Sequence, residues 1–281
     1  MTRSPTPPAG TDHGVRLAGG STGFLLIHGL GGTPVELKLI ARALHAAGHT
    51  VHCPQLAGHC GSEADLLATS WRDWAGSVHD ELARMRTRCE RVIVGGLSMG
   101  AVLAIHAAAE RPQAVDGLAL YAPTLRYDGW AIPRHAFLLK WLINTPLGRR
   151  YSFPEREPYG IKHARTRRTI VEAMASGDTS RAGLDGTPAR ALQQLWRLVA
   201  ETRRQMPAVT CPALLVHARE DDIAGLSNAF EVQRRLGGLV DAVILDDSYH
   251  LVTIDQQRGI VVDRTLALAQ RLAHKRAAAA S

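Results

Sequence analysis

Short β-branched apolar runs alternate along this chain with longer stretches whose apolar residues recur at helical spacing. The runs cover residues 23–28, 49–53, 91–95, 117–121, 213–217 and 242–245, and each reads as a strand. Strands separated by helices imply right-handed βαβ units and a mostly parallel sheet, an α/β fold class. The first helix is well marked. Thr33 can cap it, Pro34 suits its first position, Glu36 completes a capping box, and Gly48 stops it. Leu37, Ile40, Ala41 and Leu44 make its apolar face. One region breaks the rhythm. From about Thr124 to Pro207 helical patterns and loops occur without a strand, far more than an ordinary connection, so an inserted helical unit is expected there.

The third of these transitions carries chemistry. In "RVIVGGLSMGAVLAIHAAAE" a strand meets an alanine-rich helix at Ser98, which is flanked by Gly96 and Gly100. G-x-S-x-G alone is a weak signal, and a serine that merely caps a helix is the plain alternative. The strand–turn–helix context is what gives the pattern weight. A one-residue corner forces the serine into a left-handed conformation, and the strand and helix backbones then pass too close for side chains on its neighbours. The corner would lift the Ser98 hydroxyl clear of the sheet, beside free N–H groups at the helix N-terminus.

Composition narrows the function classes. A chain of 281 residues, 46% hydrophobic and 21% charged, is ordinary for a globular protein with one large core. Aromatics at 5% and a dispersed net charge of +7 argue against a nucleic-acid binder. No run approaches a membrane span, so stable membrane insertion is not expected. Residues 1–13 have no apolar core of the secretory type and read as a disordered lead-in, with one domain over residues 14–281. Four dispersed cysteines fit reduced thiols and a cytoplasmic location.

A serine hydroxyl needs a base, and the base needs an orienting acid. "ALLVHAREDDIAG" ends one strand in an acidic loop, where Asp221 and Asp222 are adjacent and spacing does not choose between them. "AVILDDSYHLVTID" ends the last strand at His250. A second cluster, His49, His52, Cys53, His59 and Cys60, could suggest zinc. On a strand, however, His52 and Cys53 face opposite sides, and the spacing matches no common zinc motif, so a structural loop is the better reading and no metal is expected.

With "LLIHGLGGTP", "HTVHCPQLAGHCGS", "GGLSMGAVLA", "CPALLVHAREDD" and "SYHLVTID" in this order, the chain resembles the α/β-hydrolase superfamily, and within it the bacterial carboxylesterases and monoacylglycerol lipases. The resemblance implies an α/β-hydrolase fold with a helical cap at about residues 124–207. It implies Ser98 as nucleophile, His250 as general base and acid, and Asp221 as the orienting carboxylate. Backbone N–H groups of Leu30 and Met99 match the oxyanion donors. The expected function is hydrolysis of short-to-medium-chain carboxylic esters, extending to monoacylglycerols, through an acyl-enzyme with no cofactor and a small-molecule ester as the partner. Cleavage of another acyl or carbon–carbon bond, or a ligand receptor that keeps the triad, are the alternatives. The apolar segment Phe137-Leu138-Leu139-Lys140-Trp141-Leu142-Ile143 is a candidate wall for the acyl pocket, or else a helix packed within the cap.

Overall fold

The computed structural model describes residues 12–133, 143, 145, 148–175, 179 and 183–280. A seven-stranded sheet forms the centre, built from β1 (Val15–Leu17), β2 (Gly20–Ile27), β3 (His49–Cys53), β4 (Arg91–Leu97), β5 (Gly117–Tyr121), β8 (Ala213–Ala218) and β9 (Val240–Leu245). Its order is β1-β3-β2-β4-β5-β8-β9. Only β1 runs antiparallel, pairing Val15 with Cys53 and Leu17 with Val51. Every other neighbouring pair is parallel, as strand–helix alternation requires.

The central strands are buried on both faces. Leu25, Ile27, Val92, Val94, Leu118, Leu120 and Leu215 point into one apolar core. Phe24, Leu26, Ile93, Leu97, Ala119, Tyr121 and Leu214 point into the other. That two-residue alternation is the pleat expressed as packing. The first core is closed by α3 (Trp71–Arg86) and α4 (Met99–Glu110), the second by α1 (Lys38–Ala46) and α8 (Arg258–Ala280). A further short helix, α2 (Glu63–Leu67), is capped by Ser62 and Asp65 in a reciprocal box. The predicted face of α1 is fully buried at Leu37, Ile40, Ala41 and Leu44, each side chain contributing about 1.5–3 kcal/mol for the aliphatic ones.

Three details differ from the sequence reading. Strand β1 was not foreseen, because three residues (Val-Arg-Leu) are too few for a period and its pairing partner lies more than thirty positions on. The segment expected to begin the first helix is a 3-10 turn, Pro34–Leu37, with Thr33 accepting from Val35 N at 3.2 Å. The inserted region also contains strands. β6 (Ser152–Pro154) pairs antiparallel with β7 (Gly186–Pro188). Both carry proline, which disfavours an interior strand, and this two-stranded ribbon consists only of edges.

The remaining described elements of that region are α5 (Ala164–Ala175) and α6 (Ala189–Gln205). Helix α6 is not confined to an outer layer: Leu192, Leu195, Leu198 and Val199 join the core beneath α3 and α4. Helix α7 (Leu226–Arg235) follows β8. Of the expected lead-in, residues 1–11 lie outside the described residues, while His13 N–H donates to Gln55 Oε1 at 3.0 Å.

Candidate active site

Strand β4 ends at Leu97, and α4 starts at Met99, so Ser98 alone makes the corner. Its backbone sits at φ 57° and ψ −117°, a conformation costing on the order of 1–3 kcal/mol outside glycine. Two things hold it there. Ser98 N–H donates to Tyr121 O at 2.9 Å, and α4 is buried along nearly its whole length. A Cβ on Gly96 or Gly100 would overlap the backbone of Ile27 and, at Gly96, that of Gly100 itself. The glycines are therefore required by the close passage of β2, β4 and α4.

The Ser98 hydroxyl lies 3.0 Å from Thr124 Oγ1. Thr124, fully buried, sends its single proton to Ala122 O at 3.2 Å, so Ser98 is the donor in the pair. Ala122 itself has φ 42°, which turns the chain after β5 toward the serine.

The loop after β8 and the loop after β9 meet behind the cavity that Ser98 faces. His250 Nδ1 lies 2.8 and 3.0 Å from the two oxygens of Asp221. Asp221 Oδ1 also accepts from the N–H groups of Ile223 and Ala224 at 2.9 and 2.7 Å, and its Oδ2 is 3.3 Å from His217 Nε2. Burial opposes a charge on His250, but the carboxylates of Asp221, Asp222 and Glu36 outweigh it and raise its pKa above the usual imidazole value. Burial likewise opposes ionisation of Asp221, and His250 and His217 overcome it, holding that carboxyl below its usual range. Asp222 has a different task. Its oxygens accept from His250 N–H at 3.2 Å and Gly160 N–H at 3.0 Å, and burial raises its pKa.

The loop after β2 brings up the third component. His28 is buried and neutral: Nδ1–H faces Gly29 O at 2.9 Å while Nε2 accepts from Leu56 N–H. Burial pushes its pKa down to about 3. Gly29 N–H donates to Glu36 Oε2 at 3.1 Å, so the half-buried Glu36 pins the turn that carries Leu30. Neither the Leu30 N–H nor the Met99 N–H meets an acceptor among the described residues. Two backbone donors thus stay open on either side of the serine.

Ser98, His250 and Leu30 share one cavity of about 2110 Å³, lined also by the apolar Leu125, Phe153, Leu184 and Trp196 among others. Ile143, buried, also lines it; the rest of the candidate segment 137–143 lies outside the described residues.

The histidine- and cysteine-rich stretch lies elsewhere. His52 pairs with Glu81 at 2.6 Å, and His59 stacks edge-on with His28 and Trp74. Among the described residues no three His, Cys, Asp or Glu side chains come together as metal ligands would.

Glu36, Thr124 and His217 were not singled out for the site by sequence reasoning. The sequence marks Glu36 as part of a helix cap, and its place seven residues after Gly29 is compatible with both tasks. His217 lies four residues before Asp221 and was legible as a neighbour only once the loop had closed.

A family model for serine aminopeptidase S33 hydrolases (Hydrolase_4) matches residues 22–257. The chain belongs to this S33 family. It is similar to a thermostable monoacylglycerol lipase of Bacillus sp. (strain H-257), 28% identical over 248 residues, with 88% of this chain and 90% of that protein covered. It is also similar to a carboxylesterase of Bacillus subtilis (strain 168), 24% identical over 247 residues, covering 86% and 90%. A solved structure of the metagenome-derived lipolytic enzymes LipS and LipT superposes with a TM-score of 0.78 at 25% identity, covering 92% of this chain and 97% of that one. The S33 chain is an α/β-hydrolase and an enzyme of the lipase–esterase type. None of its described helices is long and apolar enough to cross a membrane.

Proposed function

We propose that this S33 hydrolase cleaves carboxylic esters of short-to-medium acyl chains, monoacylglycerols included, with Ser98, His250 and Asp221 as its catalytic triad. The observation that carries the reading is a strained serine opening onto the same cavity as a buried, aspartate-paired histidine. Relatives named monoacylglycerol lipase and carboxylesterase support the substrate class.

The chemistry follows from the groups present. On substrate binding the Ser98 hydroxyl turns from Thr124 to donate to His250 Nε2, and Oγ attacks the ester carbonyl carbon as that proton passes to the imidazole. Asp221 stabilises the imidazolium and fixes its tautomer. The carbonyl oxygen, now anionic, takes the Leu30 and Met99 N–H groups. The C–O bond breaks as His250 returns the proton to the leaving alcohol. Water then gives a proton to His250 and adds to the acyl carbon, and Ser98 leaves with that proton as the acid departs. The cavity exceeds the roughly 300–1,000 Å³ of a typical small-ligand pocket, which leaves room for an acyl chain, each buried CH₂ adding up to about 0.8 kcal/mol.

The test is covalent labelling with a fluorophosphonate together with turnover of nitrophenyl esters. Label on Ser98, and a loss of at least about 10⁴ in kcat for Ser98→Ala with an unchanged fold, is the expected result. Label on any other residue would overturn the assignment.

A further inference from the structure

The cavity is charged unevenly. Around His250 lie the carboxyl groups of Asp221, Asp222, Glu36 and Glu155. Away from them the lining is basic. Glu231, nearly buried, receives Arg126 from the loop after β5, Arg203 from α6 at 2.9 Å, and Arg235 from its own helix at 3.0 Å. Arg197 and Arg234 line the same cavity and have no carboxylate partner among the described residues. Asp128, the other acid on this side, is occupied by Gly225 N–H, the Ser227 hydroxyl and the Asn228 amide, and meets Arg126 only at 3.5 Å. Five guanidiniums therefore face two carboxylates.

Tying α6, α7 and the Arg126 loop together accounts for one carboxylate and its guanidiniums. It does not account for the excess. Each guanidinium has five N–H donors, and those of Arg126, Arg203 and Arg235 are 39%, 30% and 48% exposed, so donors remain open toward the cavity. A neutral ester has no use for them.

The cluster is also fixed relative to the serine. Thr124 touches Ser98, and the next two N–H groups, Leu125 and Arg126, both donate to Asn228 Oδ1 at 2.9 and 2.8 Å. Two residues of chain span at most ~7 Å, and the arginine side chain adds its own reach. An anion held at Arg126 therefore lies within a reach of the reacting carbonyl that a chain of several carbons can bridge.

We propose that the Arg126–Arg197–Arg203–Arg234–Arg235 wall binds an anionic group, carboxylate or phosphate, at the far end of the substrate from the ester cleaved at Ser98. The inference rests on the esterase reading above and gives it a substrate class: esters with a distal negative charge. Acidic groups at the catalytic end and basic groups at the far end orient such a molecule in one sense only.

The experiment compares p-nitrophenyl hydrogen suberate with p-nitrophenyl octanoate, which have the same acyl length and differ in the terminal carboxylate. The expected ratio of kcat/KM favours the carboxylate by about tenfold, mainly through KM, and shrinks in high salt. In Arg203→Gln, and in an Arg197→Gln/Arg234→Gln double variant, the ratio falls toward one. A ratio at or below one in the wild type, or one unchanged in both variants, overturns the site while leaving the serine esterase intact. Binding to phosphatidylglycerol vesicles through these arginines, with a soluble ratio near one, assigns them to a lipid headgroup and also overturns it. If octanoate is not turned over and Ser98 is not labelled, the esterase reading fails instead. Calorimetry of suberate with the wild type and the arginine variants then judges the anion site alone: binding lost in the variants supports it, and no binding overturns it.

Discussion

The corner at Ser98 and the region between β5 and β8 that borders its cavity are built on opposite terms. At the corner the constraint is steric and local. Ser98 is held left-handed between a strand and a helix, and Gly96 and Gly100 exist because backbone atoms fill the space a side chain would need. The bordering region joins the core through α6, but where it meets the site it is aligned by polar ties across long stretches of chain. Gly160 N–H reaches Asp222, the N–H groups of Lys162 and His163 reach Asp255, and Arg126 reaches Glu231. Asp255 also takes Tyr249 N–H at 2.7 Å, one residue from His250. The difference teaches where each property resides. The geometry of Ser98 is a matter of packing, and the position of His250 is tied to the polar frame of the neighbouring region.

The largest expected effect breaks the polar side of this contrast. Asp221→Asn should cost about 10⁴ in kcat by leaving His250 in the wrong tautomer. Asp222→Asn, which loosens only the backbone of His250 and Gly160, should cost far less. Steady-state kinetics on one nitrophenyl ester distinguishes them, and equal losses would assign the orienting role to both carboxylates.

A smaller effect breaks the steric side. Gly100→Ala places a Cβ into the Ile27 carbonyl and should destabilise the fold by about 3 kcal/mol, as overpacking does. Urea unfolding reads it directly. An unchanged midpoint would show that β2 and α4 can separate freely, against the account of the corner given above.

The smallest effect sharpens the comparison by pH. In the proposed mechanism His250 must be neutral to take the serine proton. Burial lowers its pKa, yet Asp221 and its neighbours raise it further than burial lowers it, so the imidazole stays charged to higher pH. The acid limb of kcat/KM should therefore have its midpoint above 6.5, the ordinary imidazole value, and activity should rise with pH through it. In Asp221→Asn the midpoint should move down. A wild-type midpoint below 6.5 would contradict the electrostatics described here.

Much of this was legible in the sequence. The six expected runs coincide with β2, β3, β4, β5, β8 and β9, with ends differing by at most three residues, and in the central strands this is because burial on both faces leaves a continuous apolar signature. The Ser98 corner was legible for a related reason: the glycines it needs are two residues away on either side. Proline-bearing β6 and β7 were not legible, since each exists only through the other.

What the sequence by itself determined was the backbone of the central elements: strand, corner, helix, and the small residues that let them pass. Tertiary structure alone decided which polar atoms meet. Asp221 and Asp222 are indistinguishable by spacing, yet one faces His250 Nδ1 and the other its backbone N–H. Thr124 reaches Ser98 across 26 residues, and Arg126 reaches Glu231 across 105. The physical reason is range. Backbone sterics act over a few residues, so they leave a pattern in the chain, whereas a hydrogen bond or ion pair between distant residues leaves none until the apolar core has closed and fixed the distance between them.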